Sequence, residues 1–329
     1  VLEKNRRYKM KRTLIALLAS LMVLSSVFAG GAAEQTAATQ DVALGSQAVE
    51  ITFWHSASDE AGVLMDKYIK TFNETNPYQI KVNAIYQGQY SDATTLMKTI
   101  ISAENYKELP DIMQLDATGK VDYFNSGKAW TVDDAIKEMN DDISGDYMGA
   151  AMGNWQFQGV QLGLPFASST TITFYNKTLL TEAGWDRIPD TFEDLIQLRK
   201  DMDKAGITAA TYGSVPSTPT LANWLGQLGS YVVNNSNGAD ATATKLECID
   251  NGALETFLTE WKAMYDAGAV VNQSLSTNQF INEEVVVLTT SSSNVTPLLE
   301  KVNGKFEIAA GPFIRVNSSA SYGATVSGS

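Results

Sequence analysis

The 329-residue chain holds one cysteine, Cys248, and one histidine, His55. A single Cys excludes an intrachain disulfide framework and a thiolate zinc cage. A single His excludes two-His metal sites and leaves a histidine-based triad only His55 to use. Cations are scarce as well: 24 Lys+Arg face 37 Asp+Glu, a formal charge of -13. A nucleic-acid surface needs clustered Lys and Arg to displace counterions, so this balance argues against such a partner. G-x-G-x-x-G, H-E-x-x-H and G-x-S-x-G are missing. Gly119-Lys120, Gly127-Lys128 and Gly304-Lys305 lack the hydroxyl and glycine spacing of a phosphate loop. Asp133-Asp134, Asp141-Asp142 and Glu283-Glu284 are paired acids, but adjacent residues on a helix or strand do not face one site. Solvated surface explains them better than a two-carboxylate glycosidase centre. No cofactor, metal site or catalytic residue is expected. The composition leaves binding proteins, carboxylate-type enzymes and surface-interaction proteins.

What is present begins with an address. Lys4, Arg6, Arg7, Lys9, Lys11 and Arg12 precede Leu14–Phe28, an apolar run broken only by Ser20, Ser25 and Ser26. Val27-Phe28-Ala29 then supplies small residues before a cut at Ala29/Gly30, the order of a secretory signal peptide. A run this short spans only about 22 Å as a helix, less than a bilayer core. Residues 1–29 are therefore read as a cleaved signal, with 1–9 upstream of Met10 as a possible extension, and a periplasmic or extracellular location is expected. Removing the six cations and Glu3 leaves 18 Lys+Arg against 36 Asp+Glu, net -18. Residues 30–48 read as a flexible leader.

The remaining chain is long enough for two domains. Val49–His55 alternates as a first strand, and Asp59–Glu74 carries apolar residues at helical spacing until Asn76-Pro77 stops it. Strand Ile80–Tyr86, helix Ser91–Ala103 and strand Asp111–Leu115 follow, the rhythm of a parallel α/β sheet. Val160–Phe166, Thr171–Tyr175, Thr208–Tyr212, Val285–Thr290 and Phe306–Phe313 read as further strands. Helices are expected from Thr191 to about Lys204, over Asn251–Ala267 and over Asn294–Val302, and Asn234–Gly238 as a surface loop.

Ligands of open α/β sheets bind beyond the carboxyl ends of the strands. Those ends carry Trp54-His55-Ser56, Tyr86 to Tyr90, Gln114 to Thr118, Ala167 to Thr171 and Ser291 to Asn294. The inventory is aromatic faces, hydroxyls and amides with little fixed charge, which suits a polyhydroxylated ligand. Any one Ser/Thr/Asn cluster can equally cap a helix or make a turn; their recurrence carries the reading. Cys248 reads as a packed small hydrophobe. The tryptophans read as core or surface residues, with Trp224, in a Pro- and Thr-rich stretch expected to line a cleft, as the exception.

Ile51-Thr-Phe-Trp-His-Ser56, Tyr86-Gln-Gly-Gln-Tyr90, Pro110-Asp-Ile-Met-Gln114, Pro165-Phe-Ala-Ser-Ser-Thr170, Phe174-Tyr-Asn-Lys177, Phe280 and Leu288-Thr-Thr-Ser-Ser-Ser293 occur in that order. Together they resemble the extracellular solute-binding proteins of family 1, which serve ABC importers of carbohydrates. The resemblance implies an α/β, two-lobed, periplasmic-binding-protein-like (type II) fold with a hinge and a ligand held between lobes. It places lobe 1 at 49–168, lobe 2 at 169–288 and a return segment to lobe 1 at 289–329, the C-terminal part being incomplete. It also implies a monomer that delivers its solute to ABC permease subunits. Within the family, the branch that binds glycerol phosphates is the most similar, and Tyr90, Ser169, Ser292 and Gly328 match its ligand-contacting positions. That branch has a Glu where this chain has Ala117, with Asp116 one residue earlier, and a Trp-rich stretch where it reads Gly213-Ser-Val-Pro-Ser217. These departures favour a neutral sugar, oligosaccharide or polyol over glycerol-3-phosphate or a glycerophosphodiester. The expected ligand-binding set is Trp54, His55, Tyr90, Asp116, Ser168, Ser169, Trp224, Ser292 and Gly328. A secreted adhesin or a glycan-acting enzyme remains the alternative of another class.

Overall fold

The computed structural model describes residues 48–116, 119–323 and 326–328; the expected signal peptide, most of the leader and Ala117 lie outside them. The described residues form two compact units that divide between Phe166 and Ala167.

In the first unit, strand β1 (Val49–His55) leads to helix α1 (Asp59–Thr75), strand β2 (Ile80–Tyr86), helix α2 (Tyr90–Ser102) and a short strand β3 (Ile112–Met113). The three strands are parallel in the order β2-β1-β3, with His55 opposite Tyr86 and Trp54 opposite Met113. Alternation along β1 sends Ile51 and Phe53 to the α1 side, where they pack with Met65, Phe72, Ile80 and Val82. Asn76 ends α1 as its place before Pro77 requires. Its amide donates to the Phe72 and Ile80 carbonyls and accepts from the Ile80 N–H, which fixes the turn into β2. Asn73, one turn earlier, pairs its carboxamide with the N–H and C=O of Val82 at 2.7 and 2.9 Å. These are groups on the edge of β2 that faces away from β1, so a side chain occupies part of an edge that would otherwise be open. Beyond β3 come α3 (Lys120–Asn125), α4 (Val132–Met139) and a hairpin of β4 (Gln156–Phe157) with β5 (Val160–Gln161).

His55 shares the α1 side of β1. Its ring lies 5.8 Å from Phe53 and 5.9 Å from Tyr86, and it is 5% exposed. Burial pushes the imidazole below the ordinary histidine value of about 6.5, and the Asp66 carboxylate on α1 pulls the other way to a lesser extent.

The second unit is built on β6 (Ser168–Asn176), followed by α5 (Phe192–Ala205), β7 (Ala210–Gly213), α6 (Thr218–Gln227), α7 (Ala253–Asp266), β8 (Val270–Val271), β9 (Val285–Ser291), α8 (Val295–Val302), β10 (Ile308–Gly311) and β11 (Val326–Gly328). Its sheet runs β10-β6-β9-β7-β8, with β11 on the first residues of β6. Residues 289–328, expected to return to the first lobe, cluster with the second unit instead. The reason is β6: it pairs with β9, whose last three residues open this late stretch, and with β10 and β11 inside it. Arg315 pins the approach to β11 by pairing with Asp190, donating to the Ala320 carbonyl at 3.0 Å and lying 4.2 Å from the Tyr322 ring centre.

Two other expectations are corrected here. The Pro- and Thr-rich stretch is helix α6, with Pro219 in its first turn, where proline is tolerated. Its Trp224 is fully buried: it stacks on Phe257 at 5.2 Å and Phe313 at 5.3 Å, meets the edge of Phe192 at 5.5 Å, and donates Nε1–H to the Ile314 carbonyl. It is the centre of the second core, not a cleft wall. Asn234–Gly238, read as a loop, is a turn wound left-handed, with φ near 53–57° at Asn235, Ser236 and Asn237. Asn237 Oδ1 supports it by accepting from the N–H groups of Val232 and Val233.

Trp224→Ala is expected to cost about 3–5 kcal/mol of stability, read as a lower urea midpoint; an unchanged midpoint would remove Trp224 from the core. His55 gives a second test. The folded protein takes up its proton less readily than the unfolded chain, so its contribution falls as pH drops below about 6.5 and is level above that. Urea midpoints of wild type and His55→Gln should therefore diverge in slope between about pH 7 and 5, the wild type losing stability faster. Parallel slopes would contradict the buried, neutral imidazole.

Candidate functional site

Parallel pairing carries the chain ends of β1, β2 and β3 to the same edge of the first sheet, so the residues that follow each strand meet there. Trp54 and His55 end β1, Tyr86 ends β2, Gln114 follows β3, and Tyr90 opens α2. The polar groups at this edge are joined rather than scattered. The Ser56 N–H donates to Gln114 Oε1 at 3.0 Å, and Gln114 Nε2 donates to the Tyr90 hydroxyl at 3.3 Å. The backbone continues the pattern: Gln114 N–H donates to the Trp54 carbonyl at 2.8 Å, and Gln87 N–H to the His55 carbonyl at 2.9 Å.

Tyr90 is placed by the start of α2. Gln89 and Asp92 form a reciprocal cap in which Asp92 Oδ2 accepts from the Gln89 N–H at 2.9 Å. The loop into it turns at Gly88, with φ +80°, where a Cβ would stand 2.6 Å from that same Asp92 oxygen. Any L side chain at 88 would disturb the cap that orients Tyr90. Asp116 is half-buried and accepts from the Gly119 N–H at 3.2 Å, closing the turn that leads to α3. The nearby Lys120 is turned to the Asn154 carbonyl at 2.7 Å, and burial pushes its ammonium below the ordinary lysine range. The group thus brings one carboxylate, a neutral imidazole, two aromatic rings, an amide and a serine hydroxyl to one edge. Among the described residues, Ser56 Oγ and His55 Nδ1 are buried without a hydrogen-bond partner. Trp54 is only 6% exposed and lies on the face opposite Phe53 and His55, so its ring offers no open platform.

The second unit gathers a further set. The first residues of β6 pair with β11, placing Gly328 opposite Ser168 and Ser327 opposite Ser169. On its other side, Thr171 is opposite Ser291, and the Thr170 N–H donates to Ser292 Oγ at 3.2 Å. Ser168, Ser169, Ser292 and Gly328, which lie up to 160 residues apart in the chain, therefore meet at one end of β6. Ser292 bonds to β6 and does not cap α8, whose N-cap is Asn294. Trp224, fully buried in the core of the second unit, joins neither group. The sequence names Ser56 and Gln114 at strand ends, but neither stands in the expected ligand-binding set; an amide next to a buried strand end, in Ile112-Met-Gln-Leu115, is the signal that could have added Gln114.

The comparisons with known proteins agree with this architecture. The family model of the bacterial extracellular solute-binding proteins matches residues 67–327. The sn-glycerol-3-phosphate-binding periplasmic protein UgpB of Shigella flexneri is 26% identical over 276 residues, covering 80% of this chain and 61% of that protein. Its counterpart in Escherichia coli K12 gives the same identity and coverage. The chain thus spans about three fifths of the length of these curated relatives. Among solved structures, the cyclic alpha-maltosyl-1,6-maltose binding protein of Arthrobacter globiformis aligns with TM-score 0.69 and 18% identity, over 86% of this chain and 69% of that one. UgpB of Mycobacterium tuberculosis, solved with glycerophosphocholine, gives 0.66 and 18% over 86% and 70%. At these identities the likeness shows the fold, that of the two-lobed periplasmic binding proteins. With a family match that runs through both units, from α1 to β11, the chain belongs to the bacterial extracellular solute-binding protein family.

Proposed function

We propose that this protein is the extracytoplasmic receptor of an ABC importer, binding a neutral sugar, oligosaccharide or polyol and delivering it to a membrane permease. It acts as an exported monomer and performs no chemistry on its solute. The observation that carries this reading is the Ser56–Gln114–Tyr90 group at the carboxyl edge of the first sheet. It offers hydroxyls, an amide and aromatic surface with a single carboxylate, Asp116. Such a set matches a polyhydroxylated solute: rings cover C–H faces, and short polar groups exchange hydrogen bonds with hydroxyls. Asp116 would accept from a hydroxyl through a charge-assisted bond, stronger than a neutral one. The cluster of Ser168, Ser169 and Ser292 in the second unit adds hydroxyls without any charged side chain of its own.

A phosphate ester needs a cation or several N–H donors. At the first edge Lys120 is engaged by a carbonyl, and burial disfavours the charged form of His55, so neither is a ready cation for a dianion there. The second reading, a glycerol phosphate or glycerophosphodiester, is favoured by the names of the relatives: the curated ones bind sn-glycerol-3-phosphate, and one solved structure holds glycerophosphocholine.

A thermal-shift series with maltose, larger maltooligosaccharides, polyols, sn-glycerol-3-phosphate and glycerophosphocholine separates the two readings. A ligand that binds only the native state raises the melting temperature with concentration. A shift with a neutral carbohydrate is expected; a shift with the phosphate esters alone would replace the first reading by the second. Tyr90→Phe should weaken the productive ligand about tenfold, the worth of one hydrogen bond, in a variant shown to be folded by circular dichroism. Unchanged affinity would remove Tyr90 from the site.

A further inference from the structure

His55 is the one histidine of the chain, is 5% exposed, and has its Nδ1 buried with no hydrogen-bond partner among the described residues. A neutral imidazole tolerates such a place, because one ring nitrogen can stay bare. An imidazolium does not. Both nitrogens then carry N–H, and Nδ1–H becomes a charged donor facing no acceptor, which costs more than an unmet neutral group. The surroundings offer little relief. Phe53 on β1 and Tyr86 on β2 present rings at 5.8 and 5.9 Å. From α1 the Asp66 carboxylate attracts the charge, but less than burial opposes it; Asp59 and Glu60, in the first turn of that helix, are exposed.

The same residue stands where the strand exits are tied together. Its carbonyl accepts from the Gln87 N–H at 2.9 Å, at the start of the loop to α2. The carbonyl before it, of Trp54, accepts from the Gln114 N–H at 2.8 Å, and the N–H after it, of Ser56, donates to Gln114 Oε1 at 3.0 Å. The exits of β2 and β3 are thus bonded to that of β1 at His55 and its two neighbours. Charging the ring favours turning it out to water, which moves the residue that holds these exits. A solute resting on the edge covers the ring further and makes charging it costlier still.

We infer that protonation of His55 releases the solute: the edge binds with the imidazole neutral and loses affinity when the ring is charged. The inference rests on the solute-binding reading above. Burial already holds the imidazole below the ordinary histidine value of about 6.5, and a bound solute lowers it again. Affinity is therefore level above that value and falls below it, by at most about tenfold per pH unit.

With one histidine, the ring signals are assigned without a variant. The full chain, isotope-labelled at histidine, is titrated by NMR from about pH 8 to 5, free and saturated with maltose, sn-glycerol-3-phosphate or glycerophosphocholine. The free ring is expected to titrate below about 6.5, and at a lower pH again in the complex. Equal midpoints in the two states, or no titration of the free protein above about pH 5, overturn the inference. Calorimetric affinities over the same range read the coupling from the other side. The wild type should weaken about tenfold between about pH 6.5 and 5. His55→Gln, whose amide does not titrate, should show a level profile whatever its affinity at neutral pH. For the phosphate monoester, whose own second proton titrates here, the difference between the two proteins is read. Parallel profiles overturn the inference. Melting temperatures at each pH separate loss of solute from loss of fold, and should His55→Gln not fold, the NMR midpoints of the wild type decide alone. If the folded wild type binds none of the three probes at neutral pH, the solute-binding reading falls and takes this inference with it. If it binds one of them and its His55 midpoint does not move, this inference alone is lost.

Discussion

The candidate site of the first unit depends on one constraint, the parallel pairing of β1 between β2 and β3. Parallel strands present their carboxyl ends together, so residues from three segments reach one edge without any loop having to carry them there. The register sets the rest: with His55 opposite Tyr86 and Trp54 opposite Met113, the chain leaving β3 delivers Gln114 beside the chain leaving β1. The Ser56–Gln114–Tyr90 bonds then need only side-chain reach. Antiparallel pairing of β3 would send Gln114 to the opposite edge of the sheet, and a register slip of one residue would turn it to the opposite face; either dissolves the group.

Much of this was legible in the sequence because strong local signals and tertiary demands agreed. β1 and β2 alternate, are bounded by polar turns and have the ends expected of them. The Asn76-Pro77 stop worked because proline restricts the residue before it, and the Asn side chain found four-residue partners to hold the turn. Thr191, read as a helix start, accepts from the Asp194 N–H as a cap should. Of the residues matched through the resemblance, Ser169, Ser292 and Gly328 come together, beside Ser168, which no local pattern could have shown.

Failures occurred where local composition and packing disagree. Thr218-Pro-Thr220 looks like loop, yet proline is tolerated in the first turn of a helix, and Trp224 gains more from four aromatic neighbours than it could from an open wall. Val160–Phe166 and Phe306–Phe313 are apolar enough for long strands but pair over only two and four residues, since hydrophobicity says where a segment is buried and not how far its partner extends. Asn234–Gly238 reads as a loop and not as a left-handed turn; that hand comes from the Asn side chains supplying the hydrogen bonds that offset the backbone cost. Gln114, visible at a strand end, has no place in the expected binding set because a lone amide carries no periodic signal.

β6 has a consequence for the order in which this protein can be completed. The first sheet uses strands that all lie between residues 49 and 113, so its pairing is available once that stretch has emerged during synthesis. β6 is different: Thr173 meets Thr289, 116 residues later, and β10 and β11 lie later still. Until those residues exist, its Thr- and aromatic-rich backbone has both edges open. Pairing of such separation is intrinsically slow, so the second unit stays unfinished for as long as its end is still being made. A chain built this way has time to be moved elsewhere before it closes.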